Sequence, residues 1–226
     1  MSKKIDRALY GPSWTEVTIG ALLSVLIGLA LCAVWLTSKP VETVREMPKE
    51  PVSGMVYHIE GSANATKGRQ WESDRKMLIA GKSITLTEDE LNTAVKTLTT
   101  DAAKVAIANK TEEKPAVKMI NPGTLNFRIQ DSMLQIGAPV ELNYYGIATK
   151  VQVVAQGTFE RSGDKFAYAP TKFYVGSCPI VRLPVIGGKI LDLILANAPI
   201  PAELIEAWGK LANVTIEGSE LKLAMP

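Results

Sequence analysis

The longest unbroken apolar stretch, Val17 to Leu36 (VTIGALLSVLIGLALCAVWL), runs for 20 residues without a formal charge. As a helix rising about 1.5 Å per residue it covers roughly 30 Å, the hydrocarbon thickness of a bilayer. Trp14 and Trp35 flank it at opposite ends, where indoles favour the headgroup region, and Lys39-Pro40 end it. The pattern predicts one transmembrane helix over 17–36. A cleaved signal peptide is the competing reading. Its apolar region would be about 7–15 residues long and close on a small-x-small site. Here Trp35-Leu36 carry the run past Ala33, so an uncleaved anchor is the better fit.

Beyond the span the pattern weakens and then changes period. Residues 37–55 alternate in charge and hold Pro40, Pro48 and Pro51, the composition of a semi-extended stalk. Residues 60–76 are polar with Trp71 as the only large apolar residue, which predicts a loop, preceded by a short strand near Val56–Ile59. Thr87 followed by Glu90 forms a capping box, and Glu88 and Asp89 add negative charge to the first turn. A strand over 83–86 therefore leads into a helix over 88–99, with Leu91, Val95 and Leu98 on one face. Residues 101–118 read as a loop or a second, weak helix.

After Pro122-Gly123 apolar residues recur every second position. Leu125, Phe127 and Ile129 are followed by Leu134, Ile136, Ala138, Val140 and Leu142, then by Ile147, Val151, Val153, Ala155 and Phe159. Asp131-Ser132 and Arg161–Asp164 supply turns, and Phe166–Val175 continues as a strand. This is an antiparallel meander with one apolar and one polar face. Ile186–Ala198 predicts a very apolar helix, Pro201 opens another through Trp208, and Asn213–Leu223 closes the chain as a strand pair or one bulged strand. The fold class is α+β: a short head (1–16), the span (17–36), a stalk and loop (37–80), and a domain (81–226) whose curved antiparallel sheet packs on or wraps around helices.

Charge orients the chain. Lys and Arg number 25 against 23 Asp and Glu, a net charge of +2. Residues 1–39 hold four cations and two anions, so the whole excess lies there and the rest is neutral. Lys3, Lys4 and Arg7 before the span favour a cytoplasmic N-terminus, and Glu42, Glu46 and Glu50 offset the cations after it. The expected topology is single-pass, with the C-terminal domain extracytoplasmic. A neutral outer domain does not favour nucleic acid as a partner. Gly20, Ser24 and Gly28 recur every fourth residue, with Cys32 continuing the row, a small-residue face suited to a homodimer or a partner helix.

Candidate chemistry is sparse. His58 is the only histidine and reads as an ordinary surface or strand residue; Cys178, in Gly176-Ser-Cys-Pro179, reads as a packed thiol. Cys32 lies in the span, so the two cysteines do not suggest a disulfide. Glu88, Asp89 and Glu90 are accounted for by helix-start electrostatics. No Gly-x-Ser-x-Gly, HExxH, P-loop or dinucleotide fingerprint occurs, so neither an enzyme nor a cofactor or metal site is expected. Asn64, Asn109 and Asn213 stand in N-x-T sequons, relevant only in a glycosylating host.

The order of elements resembles the uncharacterised bacterial YpmS-like family. The resemblance rests on Ser83-Ile-Thr-Leu-Thr-Glu-Asp-Glu-Leu-Asn92, on Leu125–Ile136, on Phe173-Tyr-Val-Gly-Ser-Cys-Pro-Ile-Val-Arg-Leu-Pro184, and on the stretch from Trp208 to Leu223. It implies an N-terminal anchor in a bacterial inner membrane and an outer sheet curled around a helix, akin to TULIP-like and LmeA-like lipid-binding domains. The leading expectation is a non-enzymatic envelope protein that binds lipid or another amphiphile. The inward-facing Leu125, Phe127, Ile129, Val151, Val153 and Phe159 are the groove candidates. The alternative is an assembly subunit packing through its span and outer domain, and a hydrolase with an unmarked carboxylate site ranks third. Patterning alone does not separate a filled core from a lined groove, and the expectation is a core for most of these residues with a groove beside it.

Overall fold

Ser13 starts the first helix. Its hydroxyl accepts from the Glu16 amide while the Glu16 carboxylate accepts from the Ser13 amide, both at 3.3 Å. This reciprocal cap satisfies two amides that a helix start leaves open. Helix α1 then runs Trp14–Ser38, extending the apolar run at both ends, with no residue buried. Among the described residues it is the one helix long and apolar enough to cross a membrane. The structure, a computed structural model, describes residues 11–64, 66–108, 120–144, 147–180 and 200–226.

After α1 come β1 (Glu42–Val44), β2 (Tyr57–Ile59), a 3-10 turn at Lys67–Gln70, α2 (Trp71–Ile79), β3 (Ile84–Thr87) and α3 (Glu88–Ala108). The large sheet follows: β4 (Ile120–Pro122), β5 (Asn126–Gln130), β6 (Met133–Tyr144), β7 (Ile147–Ser162), β8 (Lys165–Val175) and β9 (Cys178–Pro179). Helix α4 (Ala202–Gly209) leads into the closing hairpin β10 (Asn213–Glu217) and β11 (Glu220–Ala224). β11 pairs with β3, so the end of the chain joins residues 84–87 in a three-stranded antiparallel sheet.

The meander is an open antiparallel sheet with hairpins where turn chemistry puts them. Asp131 and Ser132 both take positive φ (53° and 55°), the conformation a two-residue turn needs to match strand twist. Pairing sets Val153 beside Ala138 and Val175, and Ala155 beside Ile136 and Phe173, so one apolar layer crosses three strands. On β8 the apolar positions switch from even (Phe166, Tyr168) to odd (Phe173, Val175). A register shift between Gln156 and Gly157 absorbs the switch, leaving Thr171 unopposed with its hydroxyl on the Gln156 carbonyl at 3.0 Å. The bulge thus keeps all four side chains on one face.

Two apolar clusters cover that face. The larger joins Trp71 and Leu78 of α2, Ile84 and Leu86 of β3, Ala94 of α3, Ala207 of α4 and Val214, Leu221 and Leu223 of the closing hairpin to Ile129 and Leu134 of the large sheet. The smaller comprises Ala138, Val140, Val153, Ala155, Phe173, Cys178 and Ile180.

Three expectations change. The polar stretch 60–76 contains the start of α2 rather than only loop, because Trp71, 6% exposed, and Leu78 anchor one side of that helix in the core. The helix expected over 88–99 continues to Ala108, so the first part of 101–118 belongs to it. The 37–55 segment is not merely a stalk: β1 pairs in parallel with β2, Glu42 to Tyr57 and Val44 to Ile59. The helix expected over Ile186–Ala198, the sequon at Asn109 and the basic head Lys3, Lys4 and Arg7 lie outside the described residues.

Candidate functional site

The last turn of α1 is seated on the large sheet. A helix end leaves carbonyls without partners. Here the Leu36 carbonyl accepts from the Ser177 amide at 3.0 Å, in the turn between β8 and β9. That turn is held in place by the Gly176 amide on the Gln152 carbonyl at 2.8 Å. Gly176 has φ +59°, and a Cβ there would collide with the backbone of Thr37, so only glycine lets the two segments meet. The Leu36 side chain packs against the smaller apolar cluster, as Leu125 and Val175 also do. Lys39 completes the seat: its ammonium reaches the Gly54 carbonyl at 3.3 Å and stands 5.6 Å from the centre of the Trp35 ring.

The groove candidates divide between the clusters. Ile129 is buried in the larger one, where Phe127 and Phe159 pack against it half-buried. Phe159 lies 5.6 Å from Tyr168 and 5.4 Å from Trp208, ring centre to ring centre. Trp208 in turn donates to the Phe166 carbonyl at 2.9 Å and Tyr168 to that of Leu134 at 2.7 Å. Burial raises the Tyr168 phenol far above its ordinary range, so it acts as a fixed donor. Val153 belongs to the smaller cluster with Leu125 at its edge, and Val151 is buried beside it in sequence. On α1, Gly20 and Gly28 have no atom within 4 Å of where a Cβ would stand, and the Ser24 hydroxyl folds back onto the Gly20 carbonyl at 2.8 Å.

His58 is not a surface residue. It lies on β2 at 3% exposure with its ring directly over Gly137, where a Cβ would collide with it. Its Nδ1 is 2.9 Å from the Gln135 amide nitrogen. Burial holds its pKa below 6.5, against a smaller opposing pull from Glu60, so the ring is neutral in the fold. β2 thus covers part of the sheet face that alternation marks as polar. Cys178 is buried as expected, and burial pushes its thiol up, away from the thiolate a nucleophile needs.

Charged groups gather where β1, β2, α3 and β5 meet. Glu88, Asp89, Glu90 and Asn92 do more than start a helix. Glu88 accepts from the amides of Ser62 and Ile129, and Asp89 from the Ser62 hydroxyl (2.8 Å) and the Asn64 amide (2.7 Å). Glu90 accepts from the amide and hydroxyl of Thr87 at 2.7 and 2.9 Å. Asn92, 3% exposed, donates to the carbonyls of Ser62 and Phe127 and accepts from the Phe127 amide, each at 2.7 Å. Glu88 and Asn92 stand one turn apart and together satisfy the outer edge of β5. The result is an open cleft of about 410 Å³ lined by Arg45, Glu60, Ser62, Ala63, Glu88 and Arg128. None of the four charged residues lies within 40 positions of all the others, so no local motif could have marked them together.

Among the described residues no group of three or more His, Cys, Asp or Glu is placed to hold a metal ion. The chain is an α+β protein with an N-terminal apolar helix seated on its sheet. No protein-family model, curated protein or solved structure matches it.

Proposed function

We propose that the chain is a single-pass membrane protein, N-terminus cytoplasmic, whose outer domain binds lipid or another amphiphile without catalysing a reaction. The observation that carries this reading is apolar continuity. Leu36 belongs both to the last turn of the exposed apolar helix and to the packing of the smaller cluster on the sheet. An acyl chain leaving the bilayer beside Leu36 would meet Leu125 and Val175 without crossing water, which removes the main cost of extracting it. The resemblance to YpmS-like and TULIP-like proteins, with a sheet curled about a helix, points the same way. The absence of a poised nucleophile or base at Cys178 and His58 supports binding over catalysis.

The test is photocrosslinking of the full chain in lipid nanodiscs, with benzoylphenylalanine in place of Leu125 or Val175, both half-buried at the edge of the cluster. Lipid adducts at both positions are expected, and none from a probe at the exposed Glu217 of β10. Adducts only from probes within residues 17–36 would overturn the reading.

A further inference from the structure

The cleft between β2, α3 and β5 holds charges that form no ion pair among the described residues. Glu88 is already satisfied by two backbone amides. Arg128 is fixed in place: Nη1 donates to the carbonyls of Arg45 (3.4 Å) and Glu60 (3.3 Å), and Nε to the Gln130 side chain (3.1 Å). These are neutral acceptors, and among the described residues no carboxylate comes within 4 Å of its guanidinium. Arg45 is exposed, and its guanidinium makes no hydrogen bond or ion pair among the described residues. The Glu60 carboxylate likewise accepts no hydrogen bond there. Two guanidiniums, the Glu60 carboxylate and the amide-bound Glu88 carboxylate therefore share a cleft of about 410 Å³ with no ion pair among them.

We propose that this cleft binds a phosphate group with an ammonium beside it, the chemistry of a phosphoethanolamine headgroup. A guanidinium presents paired donors matched to two phosphate oxygens, and two guanidiniums on separate elements can engage a tetrahedral group from different sides. Arg128, whose Nη1 and Nε are held by three hydrogen bonds, offers its Nη2 donors in a pre-set position, and Arg45, whose fork is wholly open, closes on the same phosphate. Glu60 supplies the counter-charge for the ammonium and works against a bare polyanion. The cleft also lies within reach of a bilayer. Arg45 follows Lys39, at the end of α1, by so few residues that the connecting chain spans at most about 20 Å. The helix dipole at the start of α3 plays no part, because Glu88, Asp89 and Glu90 already offset it.

The same chemistry can arrive as a membrane phospholipid or as a soluble phosphoethanolamine; the lipid source alone rests on the membrane reading above. Full-length chain in phosphatidylcholine nanodiscs is titrated calorimetrically with phosphoethanolamine and with inorganic phosphate. In parallel, full-length chain from nanodiscs of equal phosphatidylcholine and phosphatidylethanolamine is released into native mass spectrometry and its retained lipids are identified. Arg45→Gln is expected to weaken phosphoethanolamine binding at least about tenfold, the worth of one charge-assisted contact, and to abolish any preference for phosphatidylethanolamine. Glu60→Gln should weaken phosphoethanolamine while leaving inorganic phosphate unchanged. Equal urea midpoints for Arg45→Gln and the parent establish that the fold is intact. Soluble binding without retained phosphatidylethanolamine assigns the soluble source, and retention of phosphatidylethanolamine assigns the lipid. A parent chain that binds neither form, an Arg45→Gln chain that binds as the parent does, or a Glu60→Gln chain that loses both ligands equally would overturn the proposal. Lipid adducts at Leu125 and Val175 do not involve Arg45, so this result and the failure of the membrane reading are read independently.

Discussion

Asp74 sits in the first turn of α2 at 3% exposure, with one carboxylate oxygen buried and unpartnered. Burial raises its pKa, and the Glu90 carboxylate nearby raises it further. A group whose pKa is higher in the fold than in the unfolded chain contributes stability below its ordinary carboxyl range, and loses that contribution as pH rises through the folded value. At neutral pH the ionised or proton-seeking side chain therefore weakens the fold. Asp74→Asn is expected to raise stability at pH 7 by on the order of 1 kcal/mol, since a neutral amide can donate where the carboxylate repels Glu90. Urea midpoints at pH 7 and at pH 5 check this: the gain should be larger at pH 7, and a loss at pH 7 would contradict it. Nothing in the sequence around Asp74 marks it, because Glu-Ser-Asp in a polar stretch reads as surface until Trp71 and Leu78 are seen in the core.

At the scale of elements, the seat of α1 is the contact that decides how the two parts of the molecule are coupled. It rests on one backbone hydrogen bond from Ser177 and on a glycine with positive φ pressed against Thr37. Gly176→Ala introduces both a left-handed strain and a backbone collision, which together cost about 1–3 kcal/mol. The turn is expected to release α1 while the meander, built on long registers between β6, β7 and β8, persists. Limited trypsin digestion of the full chain in detergent reads this directly. Cleavage at Arg45 or Lys49 should accelerate several-fold in the variant, and an unchanged rate would mean the seat does not restrain this segment. The elements themselves were legible: the capping signal at Thr87–Glu90, the alternation from Leu125 to Phe159 and the proline-opened helix before Trp208 all correspond to observed elements. β2 falls within the short strand expected near Val56–Ile59, but β1 and their parallel pairing were not legible, since a three-residue strand in a proline-rich stretch is fixed only by its distant partner.

At the scale of the whole molecule, His58 links the segment that follows α1 to the sheet. Its pKa is lowered by burial, so its contribution to stability is fully present above the ordinary value of 6.5 and is lost as pH falls from there through the folded value. The groups facing it are Gln135, through Nδ1, and Glu60, whose charge opposes the effect of burial. The full chain is expected to lose stability as pH drops below about 6.5, and His58→Gln should remove that component of the profile while lowering stability at pH 7.5 through lost packing over Gly137. Urea denaturation at pH 7.5, 6.5 and 5.5 measures it; parallel profiles for parent and variant would show that His58 carries no proton linkage.

The sequence by itself determined what depends on neighbours along the chain: an apolar helix long enough to cross a bilayer, the start of α3, the hairpin turns and the two-residue period of the meander. These follow from backbone geometry and from the repeat of side chains on one face, both encoded within a few residues. It also determined that the net charge lies wholly in residues 1–39. Only the tertiary structure decided what lies between distant segments. It set Leu36 on the sheet, His58 over Gly137, and Asn92 along β5, and it brought Arg45, Glu60 and Arg128 to one cleft. Such contacts join positions separated by tens of residues, and their free energy depends on burial and on the geometry of partners that no local pattern records.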